Sequence, residues 1–185
     1  MKNILLAKRY AKALFDLAIE DKVLDAVKAD MELVTVVMSE NRELRKLMTN
    51  PVVPPARKKL VMRRIFEQHL STLSLAFMDI LIRKGREMEI QLIARYFGEF
   101  YLDYKHIAVV TLTTATPVDA GLQEKITGIM HQRTGKEIQI DAHIDESLIG
   151  GFVLKLDDYQ YNASISKVIK RLHSDFDKNL FIKGF

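Results

Sequence analysis

The residue types that usually perform catalysis are present in this chain, but they are not arranged for it. The five histidines are scattered, and no two of them stand four residues apart as a helical metal site requires. No Gly-x-Ser-x-Gly elbow occurs, and no nucleophile has an evident base. The absence of cysteine excludes disulfides and thiolate ligands and favours a reducing compartment. We therefore expect no catalytic residue, no metal and no cofactor.

Two short motifs invite a binding role on first inspection. Gly150-Gly151 is followed by Phe152 and lacks the Lys-Ser/Thr of a phosphate loop, so we expect no nucleotide to bind there. Asp157-Asp158 places two carboxylates in a predicted turn. Such pairs are usually solvated rather than bound to a cation. Neither motif predicts chemistry.

The composition is that of a globular protein of one or two small domains. The chain has 185 residues, of which 48% are hydrophobic and 28% are charged. The apolar run 4–7 is cut off by Lys8-Arg9, so it is too short for a secretory signal. The first predicted helix leaves no room for a transit peptide. We expect a bacterial cytoplasmic protein that reaches a membrane only through partners.

Positive charge is concentrated in the first part of the chain. Residues 1–105 contain 19 Lys and Arg against 14 Asp and Glu, whereas residues 106–185 contain 9 against 10. The excess lies on the predicted fourth helix, as a basic face opposite an apolar one. The basic residues are Arg57, Lys58, Lys59, Arg63 and Arg64, and the apolar ones are Ala56, Leu60, Val61, Ile65 and Phe66. This pattern is typical of a solvated helix face. Two other interpretations stay open, namely that the face binds an acidic protein partner or that it binds nucleic acid weakly.

Residues 1–105 show helical periodicity throughout and predict a six-helix bundle. Asn50-Pro51 ends the third helix, because a residue before proline avoids the helical region. Pro55 opens the fourth helix, Ser71 caps the fifth, and Gly85 follows its end. The short connections indicate antiparallel neighbours.

From residue 106 onward the apolar period changes to two, which predicts strands. The alternation begins at Ala108 and begins again at Ile138 and at Phe152. Between the first two of these predicted strands lies a helix, which Asp119 caps and Gly135 ends. Asn162 and Ser164 precede a last helix. Its apolar residues include Ile165, Val168, Ile169 and Leu172. The predicted class is α+β: a helical bundle over 1–105 and a small α+β domain over 106–185.

Three segments in this order resemble one known family. They are the first-helix run 6–18 (LAKRYAKALFDLA), the tetrapeptide 83–86 (RKGR), and the tract 138–164, which reads strand, Gly-Gly, strand, turn, strand and cap. Together they resemble the F-type ATP synthase delta subunit, called the oligomycin-sensitivity-conferring protein in mitochondria. The resemblance implies a non-catalytic stator subunit on the cytoplasmic face of the bacterial inner membrane. The alternative is a basic nucleic-acid-binding module.

The first and fifth helices carry more apolar surface than one core-facing stripe needs. Either both helices are central in the bundle, or they border a groove for an amphipathic helix of another protein. The resemblance favours the groove and implies that it receives the N-terminal helix of an ATP synthase α subunit. The implied lining is Leu6, Tyr10, Ala13, Leu17, Ala76, Ile80 and Lys84.

The resemblance also implies that the C-terminal domain binds the b subunits of the peripheral stalk. The matching candidates are Gly150, Gly151 and Phe152, together with Val168, Ile169 and Leu172 of the last helix. The alternative interpretation is that these residues build the core of their own domain.

Overall fold

The structure, a computed structural model, describes residues 2–156 and 159–179. The described residues up to Tyr104 form one compact unit and those from Lys105 form a second. The first unit contains α1 (Lys2–Glu20), α2 (Leu24–Glu40), α3 (Arg42–Thr49), α4 (Pro55–Phe66), α5 (Thr72–Arg83) and α6 (Ile90–Tyr104), with a 3-10 turn at Glu87–Glu89.

The helix ends of this unit follow local signals. Asn50 is extended before Pro51 and ends α3. Pro55 is the first residue of α4. The hydroxyl of Ser71 accepts a hydrogen bond from the Ser74 N–H at the start of α5, and Gly85 follows its end with φ +64°. These predicted ends are confirmed.

Small side chains join α1 to α6, its main packing partner. The α1 stripe that faces inward consists of Ala7, Ala11, Leu14 and Ala18, all fully buried. Beside it, the Phe15 ring meets the Phe97 ring edge-on with centroids 5.8 Å apart. Further core residues come from every helix of the unit: Val27, Met31 and Val34 from α2, Met48 from α3, Phe66 from α4, Leu81 and Ile82 from α5, and Ile93 from α6.

A buried carboxylate ties α2 to the start of α5. Asp30 accepts hydrogen bonds from the N–H of Ser71 at 3.0 Å and from its hydroxyl at 2.6 Å. Because a helix N-terminus carries partial positive charge, the buried Asp30 carboxylate is stabilised there.

The face that α4 turns inward differs from the one predicted. Phe66 of the predicted apolar face is buried, but Leu60 and Ile65 of that face are exposed, and Lys58 and Met62 are buried instead. The prediction was wrong because Lys58 has charge partners distant in sequence. Its Nζ donates to the Met48 carbonyl at 2.7 Å and to Glu87 Oε1 at 2.5 Å. This ammonium therefore joins α3, α4 and the 3-10 turn inside the bundle.

The second unit contains a four-stranded mixed sheet with helices. Its elements are β1 (Ile107–Thr114), α7 (Ala120–Thr134), β2 (Glu137–Ile144), β3 (Phe152–Leu156), β4 (Tyr159–Asn162) and α8 (Ile165–Asn179). The strand order is β2-β1-β3-β4. β1 is parallel to β2 and antiparallel to β3, which is antiparallel to β4. The predicted α+β class is confirmed, and the predicted Asp157-Asp158 turn lies outside the described residues.

The core of this unit is small. Val110 and Leu112 of β1 pack with Ile126 of α7 and Leu154 of β3. The alternation predicted for β1 is present in full, since Ala108, Val110, Leu112 and Thr114 are buried. β2 follows its predicted alternation only in its first half. Ile138 and Ile140 are half-buried, whereas Ala142 and Ile144 are exposed.

The ends of the two helices here differ in how they are capped. Asp119 occupies the N-cap position of α7 without a side-chain cap hydrogen bond, so its predicted capping contact is not made. Gly135 ends α7 in the left-handed region, as predicted. The Ser164 hydroxyl accepts from the Lys167 N–H at 3.2 Å, and Asn162 accepts from Ser164, so the predicted cap of α8 is confirmed.

We predict that Lys58→Ala destabilises the bundle by about 3–5 kcal/mol, because it leaves Glu87 buried without its cation. Among the described residues, Glu87 Oε2 already lacks a hydrogen-bond partner. Lys59→Ala is the matched control: it removes a half-exposed lysine one residue away and should cost less than about 1 kcal/mol. Urea unfolding of both variants measures the difference, and equal costs would contradict the structural role of Lys58.

Candidate partner-binding surfaces

The bundle covers the outer stripe of α1 only in part. Leu6 and Tyr10 are half-buried, whereas Ala13 and Leu17 are exposed. They lie beside the alanine stripe that enters the core, so α1 carries two neighbouring apolar faces and buries one of them.

α5 shows the same division. Phe77, Met78, Leu81 and Ile82 are buried, whereas Ala76, Ile80 and Lys84 are exposed. Ile80 retains 40% of its accessible surface. Of the side chains proposed for a groove, Ala13, Leu17, Ala76, Ile80 and Lys84 are therefore not taken up by the core, whereas Tyr10 packs partly against it.

A cleft of about 530 Å³ lies between α4 and α5. Its α5 side includes Ala76 and Ile80, but its other side is formed by the start of α4, not by α1. The remaining lining residues are Pro55, Ala56, Lys59, Asp79, Ile82 and Arg83. The structure thus brings two of the named residues into one cleft, and it adds an α4 wall that the sequence analysis did not include. The apolar Ala56, read from the sequence as part of a core-facing stripe, is the only hint of this wall that the sequence offers.

Asp79 organises the charge of this cleft. Its Oδ2 accepts from Arg63 Nη2 at 2.6 Å and lies 2.9 Å from Lys59 Nζ. Desolvation on its own would raise the pKa of Asp79, but the hydrogen bonds and positive charges of Arg63 and Lys59 outweigh it and hold the pKa below its ordinary value. Two cations of the basic cluster are therefore engaged by α5.

The glycine pair of the second unit serves close internal packing. Gly151 has φ +76°, and a Cβ there would lie 2.2 Å from the Ala163 carbonyl oxygen. A Cβ on Gly150 would lie 2.6 Å from Cδ1 of Ile165. Phe152, which follows them, is half-buried and packs against the small core. The pair lets the start of β3 pass beneath the start of α8.

α8 presents an apolar stripe that the described part of the unit leaves uncovered. Ile165, Val168, Ile169 and Leu172 lie at helical spacing and are 40–56% exposed. The alternative that these residues build the core of their own unit does not account for this exposure. Ile149, which sequence reasoning missed, is a further exposed apolar residue near this helix, and its type alone gave no signal of this position.

Side chains placed for catalysis or metal binding are sparse in the described ranges. His143 Nε2 lies 2.9 Å from Asp141 Oδ2, with both side chains exposed. Residues 2–156 and 159–179 hold no cluster of three or more His, Cys, Asp or Glu side chains placed to bind a metal. Within these ranges, every helix is too short or too polar to span a bilayer.

Comparison with known proteins identifies the family. The family model for the ATP synthase delta (OSCP) subunit matches residues 6–176. The chain belongs to this family. It is 33% identical to the ATP synthase subunit delta of Christiangramia forsetii over 98% of both chains. It is 32% identical to that of Cytophaga hutchinsonii over 97% of this chain and 98% of the relative.

A solved structure shows the same fold. A chain in the cryo-EM structure of the Toxoplasma gondii mitochondrial ATP synthase hexamer matches with a TM-score of 0.70 and 24% identity, covering 92% of this chain and 97% of that one. As a delta-family member the protein is a structural, non-catalytic subunit of an F-type ATP synthase with a stator role. Nothing in these comparisons favours the nucleic-acid-binding alternative.

We predict that Gly151→Ala destabilises the second unit by about 2 kcal/mol or more. The added Cβ would meet backbone atoms of Ala163, and a φ of +76° is strained for alanine. Gly150→Ala is the matched control: its Cβ meets the flexible end of Ile165 and should cost clearly less. Hydrogen exchange of the sheet amides reports the stability of this unit, and equal protection in both variants would contradict the packing role.

We predict that Asp79 stabilises the bundle at neutral pH and loses this effect in acid. Because its folded pKa is lowered, the contribution is present above the ordinary aspartate pKa of about 3.9 and is lost as pH falls through the folded value. The stability difference between wild type and Asp79→Asn should therefore shrink below about pH 4. An NMR titration should show the pKa rise in Arg63→Ala, and an unchanged pKa would exclude the proposed cause.

Proposed function

We propose that this subunit ties the catalytic head of the ATP synthase to its peripheral stalk, with one unit for each partner. Residues 1–105 bind the N-terminal helix of an α subunit, and residues 106–185 bind the b subunits. The observation that carries the proposal is the uncovered apolar surface in each unit: the outer stripes of α1 and α5 in the first, and the stripe of α8 in the second.

The α1 and α5 stripes carry the residue types that a guest helix needs. Ala13 and Ala76 are small, so the guest backbone can approach closely at these points. Tyr10 offers a large apolar ring with a polar hydroxyl, and Leu17 and Ile80 supply exposed aliphatic surface. An amphipathic helix laid on these residues would bury its own apolar stripe, as helix-in-groove complexes do.

The cleft between α4 and α5 extends this receiving surface. It shares Ala76 and Ile80 with the α5 stripe and has Lys59 and Arg83 among its lining residues. An acidic residue on the guest helix would meet these cations, while Asp79 would repel it. The cleft therefore sets the register of the guest by charge, whereas affinity comes from the apolar contacts.

Such a subunit acts by holding its two partners together. Rotary catalysis requires that the head does not turn with the rotor, so both contacts must dissociate far more slowly than the rotor turns. Burying one large aliphatic or aromatic side chain contributes about 1.5–3 kcal/mol, so a few such residues at each contact suffice for slow release. We further propose that the subunit associates with the cytoplasmic face of the bacterial inner membrane, through the complex alone.

We predict that Ile80→Asp weakens binding to the catalytic head at least about 100-fold while the bundle stays folded, because it buries an unpaired charge in the contact. Tyr10→Asp should act in the same way. Leu33→Asp is the matched control, since Leu33 of α2 is similarly exposed at 37% but lies outside the proposed contact.

The measurement combines two readouts on the same samples. Calorimetric titration with the purified head gives the affinity, and thermal unfolding gives the stability of each variant. A folded Ile80→Asp variant that binds the head normally would refute the contact through α5. Equal weakening by Leu33→Asp would show that the effect is not specific to that surface.

A further inference from the structure

Ile149 adopts a backbone conformation that its side chain disfavours. Its φ is +63° and its ψ −30°, in the left-handed region. A β-branched residue rarely occupies this region, because its Cβ substituents crowd the backbone. The other non-glycine residues with positive φ in the described ranges, Lys22 and His106, are not β-branched. The strain at Ile149 therefore needs a reason.

The fold of this unit does not supply that reason. The Ile149 side chain is 66% exposed, so little of it is buried against its own unit. Ile149 directly follows a 3-10 turn at Glu146–Leu148, and its N–H donates to the Glu146 carbonyl at 3.1 Å. The residue after a helical turn often adopts positive φ. Glycine or asparagine would adopt it at lower cost. The chain thus carries strain for a side chain that it leaves in solvent.

The loop that holds Ile149 is fastened to the first turn of α8. The Ile165 N–H donates to the Gly150 carbonyl at 3.0 Å. The Ser166 hydroxyl donates to the Ser147 carbonyl at 2.7 Å. Gly150, the neighbour of Ile149, lies directly beneath the Ile165 side chain. The loop that carries Ile149 is therefore held at the N-terminal end of the exposed α8 stripe.

We propose that Ile149 is an anchor of the stalk contact, inserted into the apolar stripe of an amphipathic helix that lies along α8. This inference rests on the proposed function and names a residue of that same surface. The strain is retained because a restrained side chain loses little freedom on binding. Strained residues are typical of binding sites for this reason.

The charges around Ile149 define the guest further. Asp145 and Glu146 are exposed in the same loop. Hydrogen bonds from the Ser147 side chain and backbone lower the pKa of Asp145, so this carboxylate is ionised at neutral pH. The end of the stalk helix that reaches Ile149 should therefore carry Lys or Arg beside its apolar residues.

The test uses the full chain and the purified soluble part of the b-type stalk subunits. Ile149→Gly and Ile149→Asn both relieve the strain and remove the aliphatic side chain, and asparagine does so without the extra chain freedom of glycine. His106→Gly is the matched control, because it relieves an exposed positive φ in the same unit away from the α8 stripe. Leu172→Asp tests the α8 stripe itself. Calorimetry gives the stalk affinity, and hydrogen exchange of the sheet amides gives the stability of the unit.

We expect Ile149→Asn to weaken stalk binding about tenfold or more and to increase sheet protection, with Ile149→Gly acting in the same direction on binding. His106→Gly should leave stalk binding within about twofold of wild type. Stalk affinity within twofold of wild type for both Ile149 variants, or lower protection in Ile149→Asn, would overturn the anchor role. If Leu172→Asp abolishes binding while the Ile149 variants keep it, the stalk role stands and the anchor role fails. If the wild type itself does not bind the stalk subunits, both fail.

Discussion

The contact between α1 and α6 through small side chains is the constraint on which the N-terminal unit depends. Ala7, Ala11 and Ala18 are fully buried, and alanine at these points lets the two helix backbones approach closely. A helix that fills part of its core face with alanine can keep some larger apolar residues for its other face. α1 does so with Leu17, which is 46% exposed, while Tyr10 packs partly against the core. The core and the proposed partner surface thus occupy one helix and draw largely on different residues.

Buried polar groups give this bundle its specificity. Apolar contacts are not directional, so a helix with apolar residues on two faces has more than one way to pack. Asp30 fixes α2 against the start of α5, and Lys58 fixes α4 against α3 and the following 3-10 turn. Rotating α5 to bury its outer stripe would move Ser71 away from Asp30 and leave that buried carboxylate without its partner, at high cost. We interpret this bond as a reason that the outer stripe of α5 remains outside.

The sequence predicted what local chemistry determines and missed what distant contacts determine. Pro55 and Ser71 predicted where α4 and α5 begin, and the apolar period of two predicted the alternating burial of β1. The inward face of α4 was wrong because the partner of Lys58 stands 29 residues away, and no periodicity reveals such a pair. The exposure of Ile149 was missed for a related reason: isoleucine favours strands, and its left-handed φ is imposed by the turn around it. The outer α1 and α5 residues stood out as an apolar excess, but the α4 wall of the cleft did not.

The charge of the N-terminal unit gains a physical role from these surfaces. An uncovered apolar stripe risks association with a second copy of the same chain before the partner is reached. On α1 the exposed Lys8, Arg9 and Lys12 alternate with the stripe, and Lys8 and Lys12 also lie over the rings of Tyr96 and Phe15 at about 5 Å. Two such faces repel each other, since both carry the same sign. The repulsion acts against self-association but not against a guest helix that is neutral or acidic. The basic excess thus accords with a protein that leaves an apolar stripe exposed for the proposed guest helix.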